Sequence, residues 1–460
     1  MIEFTPSQLP RLSLDRLSTY RRNLDFYNGT QWENTSRNRQ LVFNYSKVAI
    51  DKITSFLMRG LSFAAYPTSD TVESKQKALL AEARIKEVYQ DNNLQQLDWE
   101  TEVDTAILGD GCYKVFYDED EQKIRVSSPD VSGIYAWWLG DDVAKVWRVA
   151  SRYTLTQDEV ELLYKTKPLK KTANITELWT KQNFQLWLDN DKVEDKPNPY
   201  GFIPFIIFPN LREPKKFWGT SDIDNVIQPQ RELNRALSQL SRILELSGNP
   251  IAVLENIGSA EDIKVKPGAV WVIPEDAKAY LLDLLQGGGI RLHIDFIDLI
   301  YRCLHDISEC PRAAYGGTER DLSGAALRVE LGSLVQKVTR KRTIRTGMYH
   351  QRNDMILNLA KKYYKEDFSN TTHRVIWGPI LPEDTDRAAQ NEQLLVQSGI
   401  HSRRTAMDEL GIQDPETEFK RWLEERATIR KQNIDLPFRS TRGGSKWRAE
   451  EAASNIDDEK

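Results

Sequence analysis

Apolar residues along this chain change period several times, and a long stretch of helical spacing begins at Ile223. Ile223, Val226, Ile227, Leu233, Leu237, Leu240 and Leu244 recur at mostly three- and four-residue steps, the repeat that lines one face of an α-helix. Arg231, Arg235, Arg242 and Glu245 fall on the other side. Ser221 with Asp224 three residues on has the form of a capping box and sets the start of this helix. Pro229 marks either a kink or a fresh first turn, and Gly248-Asn249-Pro250 ends it. Between 251 and 285 the pattern becomes short β-type runs, at 251–254, 269–273 and 279–285, parted by Pro267-Gly268 and Pro274-Glu275-Asp276. Gly287, Gly288 and Gly289 make a hinge. A second helical stripe, Ile290, Ile294, Ile297, Ile300, Leu304 and Ile307, then runs to Pro311.

Tyr315, Gly316, Gly317, Thr318, Glu319, Arg320, Asp321, Leu322 and Ser323 follow as a glycine-rich, charged loop, a composition suited to a mobile and solvated segment. Ser323 is placed to N-cap a helix of about forty residues, roughly 60 Å at 1.5 Å per residue. Its middle carries Lys337, Arg340, Lys341, Arg342 and Arg345, with no acidic residue between Glu330 and Asp354.

Upstream, the spacing predicts helices over 13–27, 44–57, 71–93 and 97–108, the second closed by Gly60. A hairpin of 112–117 and 123–127 turns at Asp118-Glu119-Asp120-Glu121, and strands at 143–153, 175–179 and 183–188 continue a sheet. Downstream, 373–377 returns a strand, 383–397, 402–410 and 416–430 are helical, and the polar end beyond Lys431 reads as disordered. The fold class is α+β, and 460 residues exceed what a single core usually serves.

Chemistry is conspicuous by what the motifs exclude. The chain has no GxxxxGK[ST] loop, so a P-loop ATPase is not expected. His293 and His305 lie twelve residues apart on one helix, roughly 18 Å, too far to share a metal. Asp118–Glu121 and Asp189–Asp195 resemble calcium loops only in charge and read better as hairpin turns. Cys112, Cys303 and Cys310 match no zinc spacing, and their odd number argues against a disulfide framework and for a reducing compartment. No catalytic residue, cofactor site or metal site is expected. Neither a secretory signal nor an apolar run long enough to span a membrane is found, so no membrane association is expected. The 63 basic against 68 acidic residues give a net charge of −5, whereas proteins that grip DNA by releasing counterions are basic where they touch it.

Ser323-Gly324-Ala325-Ala326-Leu327 and the basic run behind it, preceded by helix, β-module, helix and loop, resemble the core of the portal proteins of tailed double-stranded DNA bacteriophages. Asn198-Pro199-Tyr200-Gly201-Phe202-Ile203-Pro204 is similar to the strand entering that core. Pro379 to Pro382, the turn at 398–405 and Gly411-Ile412-Gln413-Asp414-Pro415 resemble the family's C-terminal helices, and Tyr27-Asn28-Gly29 with Trp32 its opening. Each match is short; their order over about 400 residues carries the resemblance.

The resemblance implies a portal-type fold: an N-terminal wing over 1–218, stem helices at 219–247 and 290–310, and a clip at 248–289 holding Val270, Trp271, Val272 and Ile273. It further implies a tunnel loop at 311–323, a long wing helix with return strand at 324–380, a crown at 381–430 and a tail at 431–460. It implies a ring, usually of twelve subunits, at one capsid vertex of the virion, assembled in the host cytoplasm. Double-stranded DNA would pass through it, with the terminase large subunit, major capsid and scaffold proteins, and head-completion or adaptor proteins as partners. Lys337, Arg340, Lys341, Arg342 and Arg345 would then make intersubunit salt bridges or touch DNA. A weakly acidic channel suits sliding DNA, because fixed lysine–phosphate pairs would be traps. A nucleic-acid-processing enzyme or a structural capsid or adaptor protein is the alternative.

Overall fold

The protein is described from a computed structural model covering residues 4–32, 41–165, 170–248, 252–255, 276, 278–281, 289–316, 324–381, 385–412 and 415–434. It divides into two compact units, Met1–Leu381 and Pro382–Lys460. The expected clip residues Val270, Trp271, Val272 and Ile273, hinge residues Gly287 and Gly288, loop residues 317–323 and the tail beyond 434 lie outside the described residues.

The first unit opens with helices α1 (Leu14–Asn28) and α2 (Tyr45–Leu57), strand β1 (Ser62–Pro67), and helices α3 (Val72–Asp91) and α4 (Leu94–Leu108). Strands β2 (Asp110–Asp118), β3 (Lys123–Ser127), β4 (Ile134–Leu139) and β5 (Asp142–Thr156) come next. Helix α5 (Gln157–Tyr164) precedes β6 (Thr172–Thr180), β7 (Asn183–Leu188), β8 (Asp191–Pro197) and β9 (Phe205–Pro209). Helix α6 (Ile227–Gly248), the ribbon β10 (Ala252–Glu255) and β11 (Lys278–Leu281), α7 (Gly289–Ser308), α8 (Gly324–Glu330), α9 (Gly332–Tyr363) and β12 (Thr371–Ile376) complete it. The second unit holds α10 (Thr385–Gln397), α11 (Arg403–Glu409) and α12 (Pro415–Ile434).

Two antiparallel sheets frame the first unit: β3-β2-β9, and a meander β4-β5-β6-β7-β8. Alternation along β2 explains how they share a core. Tyr113 and Val115 join Ile206 and Phe208 under Met348, Tyr349, Ile356 and Leu359 of α9. Cys112 and Phe205 point the other way, into the cluster of Val149, Ile175, Trp179 and Phe184 from the meander. The small sheet is thus buried on both faces, which is why β9 reads as the unbroken apolar run Phe205–Pro209. The α9 helix is laid across this sheet as the central beam of the unit.

Several expectations change on contact with tertiary structure. The forty-residue helix is interrupted at Leu331, giving α8 and α9. Ser221 and Asp224 make half of the expected box, the Ser221 N–H donating to Asp224 Oδ2 at 3.2 Å, but ahead of the helix: Ser221 Oγ donates to the carbonyls of Ala106 and Ile107 at the end of α4, and bends and a turn fill 222–226. The helix starts at Ile227, with Pro229 in the first turn, where a missing N–H leaves no hydrogen bond unmade. Strands β1, β4 and β8 and helix α5 were not read from the pattern. In β8 most side chains are exposed and charged, so the alternation that marks a half-buried strand is absent.

Candidate functional site: a helical hairpin on a buried charge network

The N-terminal half of α6 shares a core with the C-terminal half of α7, Leu233 and Ala236, with Val226 just ahead of the helix, meeting Ile300 and Leu304, so the helices form an antiparallel pair. The chain between them carries β10 paired antiparallel with β11, from Ala252 opposite Leu281 to Glu255 opposite Lys278. After α7, Cys310 and Ala314 tuck against Leu331, Leu334 and Val338. Tyr315 ends a short 3₁₀ turn, and Gly316 (φ 82°) leads into the loop. Gly289 opens α7.

Beneath this hairpin, α9 sends its basic residues inward. Four of the five residues expected to face DNA or a neighbouring subunit, Lys337, Lys341, Arg342 and Arg345, are buried and held by partners in the same chain. Lys337 Nζ reaches Asp222 Oδ1 (3.0 Å) and the Ser308 carbonyl (2.9 Å), tying the approach to α6 to the end of α7. Lys341 Nζ is 2.5 Å from Asp222 Oδ2. Arg345 forks onto Glu102 (2.8 and 2.7 Å) and also donates to the carbonyls of Pro209 and Asn210. Arg342 donates to the carbonyls of Phe56, Leu57 and Arg59, closing the C-terminal end of α2, and to that of Gly378. Only Arg340 of the five is exposed, and it pairs with Glu309 at 2.6 Å. This replaces the intersubunit or DNA-facing role for the buried four. The run read as a source of intersubunit salt bridges or DNA contacts because its carboxylate partners, Glu102 and Asp222, stand more than a hundred residues away in sequence.

A further cation joins the network. Arg352 forks onto Asp98 (2.5 and 2.8 Å) among the rings of Tyr89, Tyr113 and Tyr349. Arg352 was not singled out in the sequence; the available signal was Asp98 and Glu102, one turn apart on the inner face of α4. Burial alone would raise the Asp222 carboxyl, but Lys337 and Lys341 hold it far below the usual range. Burial pushes the Lys341 amine down against the pull of Asp222 and Glu102. It takes the Arg342 guanidinium down to about 10, since its partners are carbonyls and Arg59 stands nearby.

The charged groups of this arrangement are paired with one another and with main-chain carbonyls. Among the described residues no group of three His, Cys, Asp or Glu side chains could hold a metal, and no helix is long and apolar enough to cross a membrane. Cys112 and Cys310 are buried thiols and Cys303 is an exposed one. The network ties α9 to the approach to α6 and to the end of α7. A family model described as phage portal protein, SPP1 Gp6-like, matches residues 11–432. A comparison with curated proteins found no match.

Proposed function

Since the chain belongs to the SPP1 Gp6-like family of phage portal proteins, we propose that it forms the ring-shaped channel at one capsid vertex through which double-stranded DNA enters and leaves. The observation that carries this is the match over nearly the whole chain, joined to a hairpin of helices tied to α9 by buried ion pairs. In this reading α6 and α7 are the stem, and the region between them, with Val270, Trp271, Val272 and Ile273, is the clip that meets the terminase large subunit and later head-completion proteins. Tyr315 to Ser323 are the tunnel loop, Gly287 to Gly289 a hinge, and α10 to α12 the crown. The protein acts as a conduit and docking platform, with the work of packaging supplied by its motor partner. A phage lacking this chain should assemble heads that stay empty of DNA, and complementation should fill them; DNA-filled heads without it would overturn the reading.

A further inference from the structure

Taking the ring as its premise, we propose that neighbouring copies join through the two outward faces of the α6–α7 hairpin. The face of α7 turned away from α6 packs on the face of the next copy's α6 turned away from its own α7. A head-to-tail contact of this kind closes a ring.

Ile297, Ile300, Tyr301 and Leu304 form the side of α7 that enters the core shared with α6. Leu292, Phe296, Leu299, Cys303 and Ile307 recur at steps of four, three, four and four, a second apolar stripe about 120° around a helix of 3.6 residues per turn. All five are exposed, Leu292 at 72% and Leu299 at 57%. A helix with one stripe in its own core and another in water is built for two neighbours. Asp295 and Asp306 border the outer stripe, exposed and without an ion pair among the described residues.

The complement stands on α6. Arg231 and Arg242 are exposed opposite Leu233, Ala236 and Leu237, and neither makes an ion pair among the described residues; Arg231 lies over the Phe26 ring at 5.6 Å. Beside them residues 41–43 are held to α6, the Leu41 N–H donating to Ser238 Oγ at 2.9 Å and the Phe43 N–H to Asn234 Oδ1 at 3.0 Å, with the Leu41 side chain still 38% exposed.

Spacing and height both match. Eleven residues separate Asp295 from Asp306, and eleven separate Arg231 from Arg242, three turns or about 16 Å in each helix. In a ring all copies stand at one height, so only residues at equal heights along the hairpin can meet. Lys337 sets the base level by joining Asp222, ahead of α6, to Ser308 at the end of α7. Asp306 comes two residues before Ser308 and Arg231 four residues into α6, so both stand on the base side of the hairpin, with Asp295 and Arg242 three turns further along their helices. The antiparallel pair thus sets Asp306 against Arg231 of the next copy, and Asp295 against Arg242.

The test uses two full-length double variants, Asp295→Arg with Asp306→Arg, and Arg231→Asp with Arg242→Asp. Each alone sets like charges together at every contact and should lower the yield of rings seen by electron microscopy at least tenfold, with circular dichroism unchanged. An equal mixture should recover rings, because an alternating ring again sets acid against base throughout, and those rings hold an even number of copies. If wild-type rings form but both variants assemble as well as wild type, or their mixture stays unassembled, this interface is wrong while the ring stands. If wild-type protein forms no rings even with capsid and scaffold proteins present, the premise falls and the interface with it.

Discussion

At the residue scale, stability rests on charges taken out of water in matched sets. Arg345 has Glu102 and two carbonyls as partners, so Arg345→Met leaves a buried carboxylate with only the more distant Lys341, 3.9 Å away, and should destabilise by about 3 kcal/mol in chemical denaturation. Arg340→Ala, which loses only an exposed pair with Glu309, should change stability by less than about 1 kcal/mol. A second buried carboxyl behaves differently. Asp110 accepts from Tyr20 Oη at 2.5 Å and from the Gly219 N–H, and burial raises it to about 6 although those bonds and Arg16 pull it down. Between about pH 4, where an unfolded aspartate ionises, and pH 6, the folded chain holds the extra proton. Asp110 therefore makes stability fall as pH rises through that window, by about 3 kcal/mol. Asp110→Asn should remove that slope from a pH series of unfolding midpoints. Asp222 has the opposite sign: its depressed carboxyl adds stability that is lost as pH falls below about 4. Sequence showed the basic run and not its intrachain partners, because Asp222 and Glu102 come beside it only through the fold.

At the element scale, helices with a clear stripe were legible and their ends were less so. The periodicity at Leu233, Leu237 and Leu240 placed α6, and the isoleucine spacing from Ile290 placed α7. The α9 helix spreads polar and apolar residues around its whole circumference, because it is packed on several sides, and its break at Leu331 left no breaker of the proline kind to read. The strand β4 was missed because Ile134–Leu139 is a short aromatic run without alternation. One junction depends on glycine. Gly60 (φ 67°) follows α2, and a Cβ there would lie 2.7 Å from the Cα of Gly378, whose N–H donates to the Gly60 carbonyl at 2.9 Å. Gly60→Ala should therefore cost more than about 1 kcal/mol in thermal or chemical unfolding, above the ordinary scale of a glycine substitution. A variant as stable as the parent would show that the two backbones part easily.

At the scale of the whole molecule, family membership was legible from the order of short motifs, and composition agreed with it without identifying it. The candidate interface was only half legible. The sequence offered α7 as one apolar stripe, Ile290 to Ile307, and the second stripe became visible when Ile300 and Leu304 were seen to be in the core and Leu292 and Leu299 outside it. The proposed assembly is a ring around DNA in which the α6–α7 hairpin, tied to α9 by buried ion pairs, presents two complementary faces. The ring is tested most directly by negative-stain electron microscopy of the purified full-length chain, alone and with capsid and scaffold proteins. The account predicts end-on rings with a central opening wide enough for duplex DNA; monomers, closed shells or solid particles under both conditions would contradict it.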